Sequence, residues 1–305
     1  MTLSRTRMST QGPEVSRFIA GYWRLKYWGI SDQELVSFIE QHLEMGITTV
    51  DHAMVYRSEE PFGRALKIKP ELRQSMEIVS KCGIRPAGFG PMGAKAVNHY
   101  DSSKKHIIAS TETSLQHLGT DYLDVLLIHR PDYLMNAEEV ADAFQTLKQA
   151  GKVKYFGVSN FSLHQFELLN AHVKSFTPEG LVTNQVEFSP YNLDALDEGF
   201  FEQASLNQIT PMLWSCLAGG QLMQPEDEKG KRIQQALQIV ADELGLNELE
   251  PVIYAWVLGL PCPTLPLLGT SKIERYKIAL QAQSIELNRE QWYRIWEASK
   301  GHAVP

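Results

Sequence analysis

The segment GITTVDHAMVYR, Gly46 to Arg57, carries an apolar run into Asp51 and places a phenol, Tyr56, five residues later. Two similar runs end on Lys81 in MEIVSK and on His129 in LDVLLIH. A carboxylate, a phenol, an amine and an imidazole form a chemically coherent set. A free phenol titrates near about 10, and a neighbouring ammonium favours phenolate and lowers that value. The ammonium stays charged beside apolar walls if a carboxylate such as Asp51 pairs with it. Tyr56 then serves as a general acid for an oxygen that is gaining negative charge. His129 can hydrogen-bond the same oxygen and orient the molecule carrying it. Hydride delivery to an aldehyde or ketone creates such an oxygen. Each residue also has a plainer reading: the Asp as turn former or helix cap, the Lys reaching solvent, the His as a structural hydrogen-bonder, the Tyr as packing. Their coincidence on neighbouring strand ends outweighs those readings.

The elements that must position these residues recur along the chain. Short, nearly continuous apolar runs begin at Arg17 (RFIAGY), Ile47 (ITTVD), Met76 (MEIVSK) and Leu123 (LDVLLIH). They continue at Val153 (VKYFGVS), Leu181 (LVTNQVEF), Thr210 (TPMLWS) and Thr264 (TLPLLG). Continuous rather than alternating runs mark strands buried on both faces, as in a parallel sheet covered by helices. Helix signals lie between them. Ser31 and Glu34 form a capping box, with Gly46 as the stop. Asn136 opens a helix with an apolar stripe of Val140, Ala143, Phe144 and Leu147, ended by Gly151. Ser162 with Gln165 opens another. Eight βα units without an edge-strand pattern predict an α/β fold of the (β/α)₈ TIM-barrel type, one domain over 1–305. The segment 83–103 reads as a long loop over the face where the strands end. A C-terminal helix and tail occupy about 288–305, and the pocket walls are expected from the long loops and this tail. Trp292 and Trp296, spaced i and i+4, read as core.

The 305 residues are 43% hydrophobic and 21% charged, an ordinary globular composition. A net charge of -7 without a basic block argues against nucleic acid as a partner. Cys82, Cys216 and Cys262 lack metal-ligand spacing, so no metal is expected, and an odd, sparse set suits reduced thiols in the cytoplasm. The N-terminus has charge but no apolar core of a signal peptide. No run approaches the roughly 18 residues of a membrane span.

In a barrel the chemistry gathers at the C-terminal strand ends. Ser159 and Asn160 end the fifth run, Gln185 lies in the sixth, and the seventh ends WSCLAGG, Trp214 to Gly220. The last run closes at LLGTSKIERY, where Gly269 and Thr270 lead into a helix whose free N–H groups suit an anion. Lys272 and Arg275 lie on one side of its first turns. No acidic residue within this turn awaits a ribose diol, so a 2′-phosphate, and hence NADP(H) over NAD(H), is the expected cofactor. By contrast GFGPMG, Gly88 to Gly93, matches a dinucleotide fingerprint only formally: it lies beyond its strand, contains Pro91, and opens no amphipathic helix.

These residues resemble the aldo-keto reductase family over nearly the whole chain. The D-x-A-x-x-Y motif stands as DHAMVY, the family lysine as Lys81 in IVSKCG, and the histidine as His129 in DYLDVLLIHRPD. GKVKYFGVSNF and NQVEFSPY match two further motifs in family order. The resemblance implies a barrel binding NADP(H) across the strand-end face and reducing a small-molecule carbonyl substrate. Tyr56 would donate the proton, Lys81 and Asp51 would tune it, and His129 would orient the carbonyl. Ser159, Asn160 and Gln185 would hold the nicotinamide amide, and Trp214 would stack on its ring. Ser215, Cys216, Leu217, Gly219 and Gly220 would track the pyrophosphate. Tyr22 and Trp23 would line the pocket beside the cofactor. Thr270, Ser271, Lys272 and Arg275 would hold the adenosine phosphate. The sequence departs from the pattern after the tyrosine, where Arg57 replaces a glycine and YRSEEPFGRAL is shortened.

Two other functions use the same residues. A Schiff-base lyase would employ Lys81 as nucleophile and leave Asp51 and the phosphate turn without a task. A nicotinamide-sensing module with little turnover would bind the cofactor and need no proton donor.

Overall fold

The computed structural model describes residues 4–88 and 97–305. An antiparallel ribbon, β1 (Arg5–Arg7) and β2 (Glu14–Ser16), precedes the barrel. The first barrel strands are β3 (Ile19–Gly21), β4 (Thr49–Asp51) and β5 (Glu77–Cys82). A second ribbon, β6 (Ile84–Arg85) with β7 (His99–Tyr100), interrupts them. The barrel resumes with β8 (Leu123–Ile128), β9 (Val153–Ser159), β10 (Leu181–Glu187), β11 (Met212–Trp214) and β12 (Leu265–Leu268). These eight strands are all parallel and follow chain order around a closed barrel, which shuts where Leu267 and Leu268 of β12 pair with Ile19 and Ala20 of β3. Every apolar run singled out in the sequence supplies one of them.

Helices α1 (Asp32–Glu44), α2 (Glu59–Ile68), α3 (Lys104–Leu118), α4 (Ala137–Gln149) and α5 (Leu163–Val173) each follow one strand. Short α6 (Asp194–Asp197) and α7 (Phe200–Leu206) follow β10. α8 (Glu228–Glu243) and α9 (Glu250–Leu258) follow β11, while α10 (Ile273–Leu280) and α11 (Arg289–Lys300) follow β12. The caps form as the sequence predicts. Ser31 with Glu34 and Ser162 with Gln165 make complete capping boxes, and the Asn136 side chain accepts from the N–H groups of Glu138 and Glu139. Losing one such cap costs about 1 kcal/mol.

The barrel interior is a packed apolar column of Ile19, Val79, Val125, Leu127, Val182, Met212 and Leu265. Met8 and Val15, from the first ribbon, join that column, so the ribbon plugs the end opposite the strand termini. The sequence reading missed it because its strands are three residues long and mostly polar. Gly157 of β9 marks a close approach: a Cβ there would stand 2.7 Å from the Thr183 carbonyl oxygen and from a Leu127 methyl. That contact explains the second glycine of GKVKYFGVSNF.

The long segment after β5 is less irregular than expected, because Ile84↔Tyr100 and Arg85↔His99 pair across it. Residues 89–93 of its glycine cluster lie outside the described residues. Trp292 is packing, as expected: it stacks on Trp256 at 4.9 Å between ring centroids, and each indole N–H donates to the other residue's carbonyl. All three cysteines are free and buried. Among the described residues no helix is long and apolar enough to cross a membrane.

Two buried histidines make stability depend on pH. His42 accepts from the Tyr22 hydroxyl and donates to the Ile47 carbonyl, and burial lowers its pKa to about 4. Burial, reinforced by the Lys81 charge, lowers His52 to about 3. The unfolded chain binds these protons near pH 6.5 and the folded chain does not. Stability is therefore full above about pH 6.5 and is lost as pH falls toward 4, by roughly 2 kcal/mol per histidine at pH 5. Urea midpoints measured at pH 7 and pH 5 will show this, and substituting His42 by Gln will flatten the slope. An unchanged midpoint at pH 5 would contradict the assignment.

Candidate active site

The four chemistry-bearing residues of the sequence meet at one end of the barrel. β4 and β5 are neighbours in register, with Asp51 opposite Val79, so Asp51 and Lys81 emerge on the same rim. The Lys81 ammonium donates to Asp51 Oδ2 at 2.6 Å and to the His52 carbonyl at 2.9 Å, with its side chain fully buried. Asp51 Oδ1 accepts from Gln185 Nε2 at 2.8 Å. Burial alone would lower the Lys81 pKa, but the Asp51 carboxylate and Tyr56 together raise it above its ordinary value. It remains an ammonium.

Tyr56 sits above this pair. Lys81 Nζ lies 4.8 Å from the centre of its ring, and the Tyr56 hydroxyl is 3.2 Å from His129 Nε2. Lys81 does lower the phenol's pKa, as expected, but the net shift is upward. Burial raises it more than the Lys81 charge lowers it, and the Asp51 charge adds to the rise. Desolvating a phenolate costs more than an ammonium already paired to a carboxylate returns. Tyr56 is thus a phenol with its proton in place. His129 is pushed well below the usual imidazole range by burial, then by Lys81 and Arg130. It is neutral at pH 7 and offers one N–H and one lone pair.

The segment after Tyr56 also acquires a physical description. Arg57 adopts φ 57° and ψ 29°, the left-handed conformation. A glycine holds that turn without strain, whereas an arginine there is strained.

The phenol and imidazole open into a cavity of about 550 Å³ that runs along the strand ends. Asp51, Tyr56, His129, Ser159, Asn160 and Gln185 line one part of it. Trp214, Ser215, Cys216, Leu217, Gly219 and Gly220 line another, and Thr270 and Arg275 the far end. Ser159 donates to the Gln185 carbonyl at 2.9 Å, Asn160 Nδ2 donates to Ser159 Oγ at 2.8 Å, and the Trp214 indole donates to Asn160 Oδ1 at 3.1 Å. These polar groups hold one another in place, so the wall is preorganised. After Trp214 the backbone is unusual. Ser215, Ala218, Gly219 and Gly220 all have positive φ, at 60, 50, 65 and 107°. Such left-handed residues curl the main chain into a concavity of the kind that receives anions.

Three residues expected in the lining, Tyr22, Ser271 and Lys272, lie elsewhere. Tyr22 is fully buried, bonded to His42 and stacked on His52 at 4.9 Å. Gly21 and Trp23 line the cavity instead, since successive residues at a strand end point to opposite sides. Lys81 lies beneath the wall rather than in it. Ser271 and Lys272 are exposed and do not line the cavity. Lys272 is the N-cap of α10, its N–H held by Thr270 Oγ1 at 3.2 Å, and Arg275 returns to the cavity one turn later. The C-terminal tail, expected in the wall, does not line it either, whereas Ile84 does.

The sequence reading missed Arg24, Arg130 and Glu250, which all line the cavity. Arg24 Nη2 donates to the Gly269 carbonyl at 2.9 Å, and Arg130 lies 5.8 Å over the Trp214 ring. Both arginines directly follow residues that were recognised, Trp23 and His129. Glu250 had no such signal.

Comparison with known proteins agrees with this architecture. The model of the Aldo/keto reductase family matches residues 17–300. The chain is 48% identical to oxidoreductase YdhF of Escherichia coli (strain K12), covering 99% of this chain and 100% of that protein. It is 46% identical to the uncharacterized oxidoreductase YcsN of Bacillus subtilis (strain 168), over 96% and 97% of the two chains. It is 38% identical to a 6-dehydroglucose reductase of Agrobacterium fabrum, over 95% and 96%. A closed barrel whose rim joins Asp51, Tyr56, Lys81 and His129, matched by that family model along nearly its full length, makes this chain a member of the aldo/keto reductase family of oxidoreductases.

Proposed function

We propose that the protein reduces an aldehyde or ketone to an alcohol with NADP(H), Tyr56 acting as the general acid. The observation that carries this reading is the run of contacts from Gln185 through Asp51 and Lys81 to Tyr56, whose protonated phenol meets His129 at the cavity surface. The cavity fits a nicotinamide dinucleotide. Asn160 and Gln185 carry amide groups for the carboxamide, Trp214 offers an aromatic face, and the left-handed turn through Gly220 suits a pyrophosphate. Ser159 would fix Asn160, and Trp23 would close the substrate side. Thr270 and Arg275 would hold the 2′-phosphate.

Bound NADPH supplies hydride to the carbonyl carbon. As negative charge gathers on the carbonyl oxygen, Tyr56 hands over its proton, and the phenolate left behind is stabilised by the Lys81 ammonium. Asp51 keeps that ammonium charged and in place. His129 directs its ring nitrogen at the same oxygen and fixes the angle of approach. A Schiff-base role for Lys81 fits poorly, because a fully buried ammonium bonded to Asp51 and His52 has no free electron pair to attack with.

The test is loss of reduced nicotinamide absorbance with a panel of aldehydes, ketones, quinones and oxidised sugars, the last suggested by the 6-dehydroglucose reductase relatives. Turnover with at least one member is expected. In the same assay Arg275→Ala raises KM for NADPH by about 10- to 100-fold, the loss of one charge-assisted phosphate contact, and leaves KM for NADH nearly unchanged. Nucleotide binding with no turnover across the panel would support a sensing module instead. Equal weakening of both nucleotides would refute the phosphate assignment.

A further inference from the structure

The guanidinium assigned to the 2′-phosphate already has a partner. Arg275 Nε and Nη2 lie 2.8 and 2.7 Å from Glu250 Oε1. Glu250 opens α9, far from the phosphate turn in sequence, and its side chain is 8% exposed. Both residues line the same cavity, whereas Lys272 does not. The polar side chains of the lining near this turn thus include Thr270, Arg24 and Arg275, together with the Glu250 carboxylate and the Tyr254 phenol.

A carboxylate here acts on the two cofactors differently. It occupies two of the five N–H donors of Arg275 and repels a phosphate carrying about −1.5 to −2 charges. Toward the ribose hydroxyl that NADH carries at the same position it is a hydrogen-bond acceptor, the part an acidic residue plays in NAD sites. We propose that Glu250 is a specificity-determining residue: it holds Arg275 at the cavity wall and keeps the preference for NADPH over NADH small. The inference rests on the cofactor reading above, since it presumes that the adenosine lies at this end.

The test uses the isosteric variant Glu250→Gln, which removes the charge and keeps an oxygen acceptor for Arg275. Dissociation constants for NADPH and NADH are measured by Trp fluorescence on the whole protein without substrate, at fixed ionic strength, with circular dichroism confirming the fold. NADPH is expected to bind on the order of tenfold tighter, and NADH as before or more weakly. Glu250→Gln weakening NADPH would overturn the proposal, because the carboxylate would then serve only to orient Arg275. Equal changes for both nucleotides would overturn it as well. Arg275→Ala, titrated in parallel, reports on the cofactor reading itself. If that variant leaves the NADPH-to-NADH ratio unchanged, the phosphate assignment has failed rather than the role of Glu250 beside it.

Discussion

Tyr56→Phe lowers kcat for carbonyl reduction by about 10²- to 10⁴-fold and leaves the dissociation constant of NADPH within about twofold. The substitution deletes one oxygen, the one 3.2 Å from His129 Nε2, and keeps the ring that packs against Trp23 and His129. The hydride donor stays bound while the developing alkoxide finds no proton. Steady-state turnover beside a fluorescence titration of the nucleotide separates the two effects. Because the resting phenol titrates above its ordinary value, the proposed reduction has no requirement for phenolate and is expected to persist toward acid until stability fails. A variant losing binding and turnover in parallel would mean that Tyr56 shapes the cavity rather than supplying the proton.

Lys81→Met removes about 3–5 kcal/mol of stability, the cost of leaving one member of a buried ion pair alone, and turnover falls with it. Asp51 is 2% exposed, and in this variant it would retain the Gln185 amide as a partner with no cation in contact. Urea unfolding measures the loss. The double variant Lys81→Met with Asp51→Asn recovers most of the stability, because no unpaired charge remains, yet stays inactive, because nothing steadies the phenolate. Recovery of activity in the double variant would rule out the tuning role of the pair. An unchanged urea midpoint in the single variant would mean that the pair contributes nothing to the fold.

Different physics governs the parts of this protein that sequence makes legible and those it hides. The eight strands are visible because burial on both faces forces near-continuous apolar runs, and the caps because Ser31, Asn136 and Ser162 do their work within three residues along the chain. Asp51, Lys81 and His129 are readable for a related reason: a barrel of parallel strands sends every strand terminus to one rim, so position along the strand becomes position in the site. Through-space effects obey no such rule. Desolvation sets the titration of Tyr56, and it depends on walls contributed by distant segments. The ribbon plugging the barrel has only Met8 and Val15 as apolar anchors within a polar stretch, and its other ties, such as Arg5 to Glu77 and the Met8 carbonyl to the Thr210 N–H, join segments far apart in sequence. Tyr22 turns into the core while its neighbours Gly21 and Trp23 face the cavity.

The phosphate turn marks the boundary most sharply. Sequence by itself determines that Thr270, Lys272 and Arg275 cluster at a helix start, with Glu274 as the local acid. Only the folded chain sends Lys272 outward and brings Glu250, twenty-five residues upstream, against Arg275. Local chemistry follows covalent order, whereas charge pairing between helices follows the packing of α9 on α10, which no short stretch encodes.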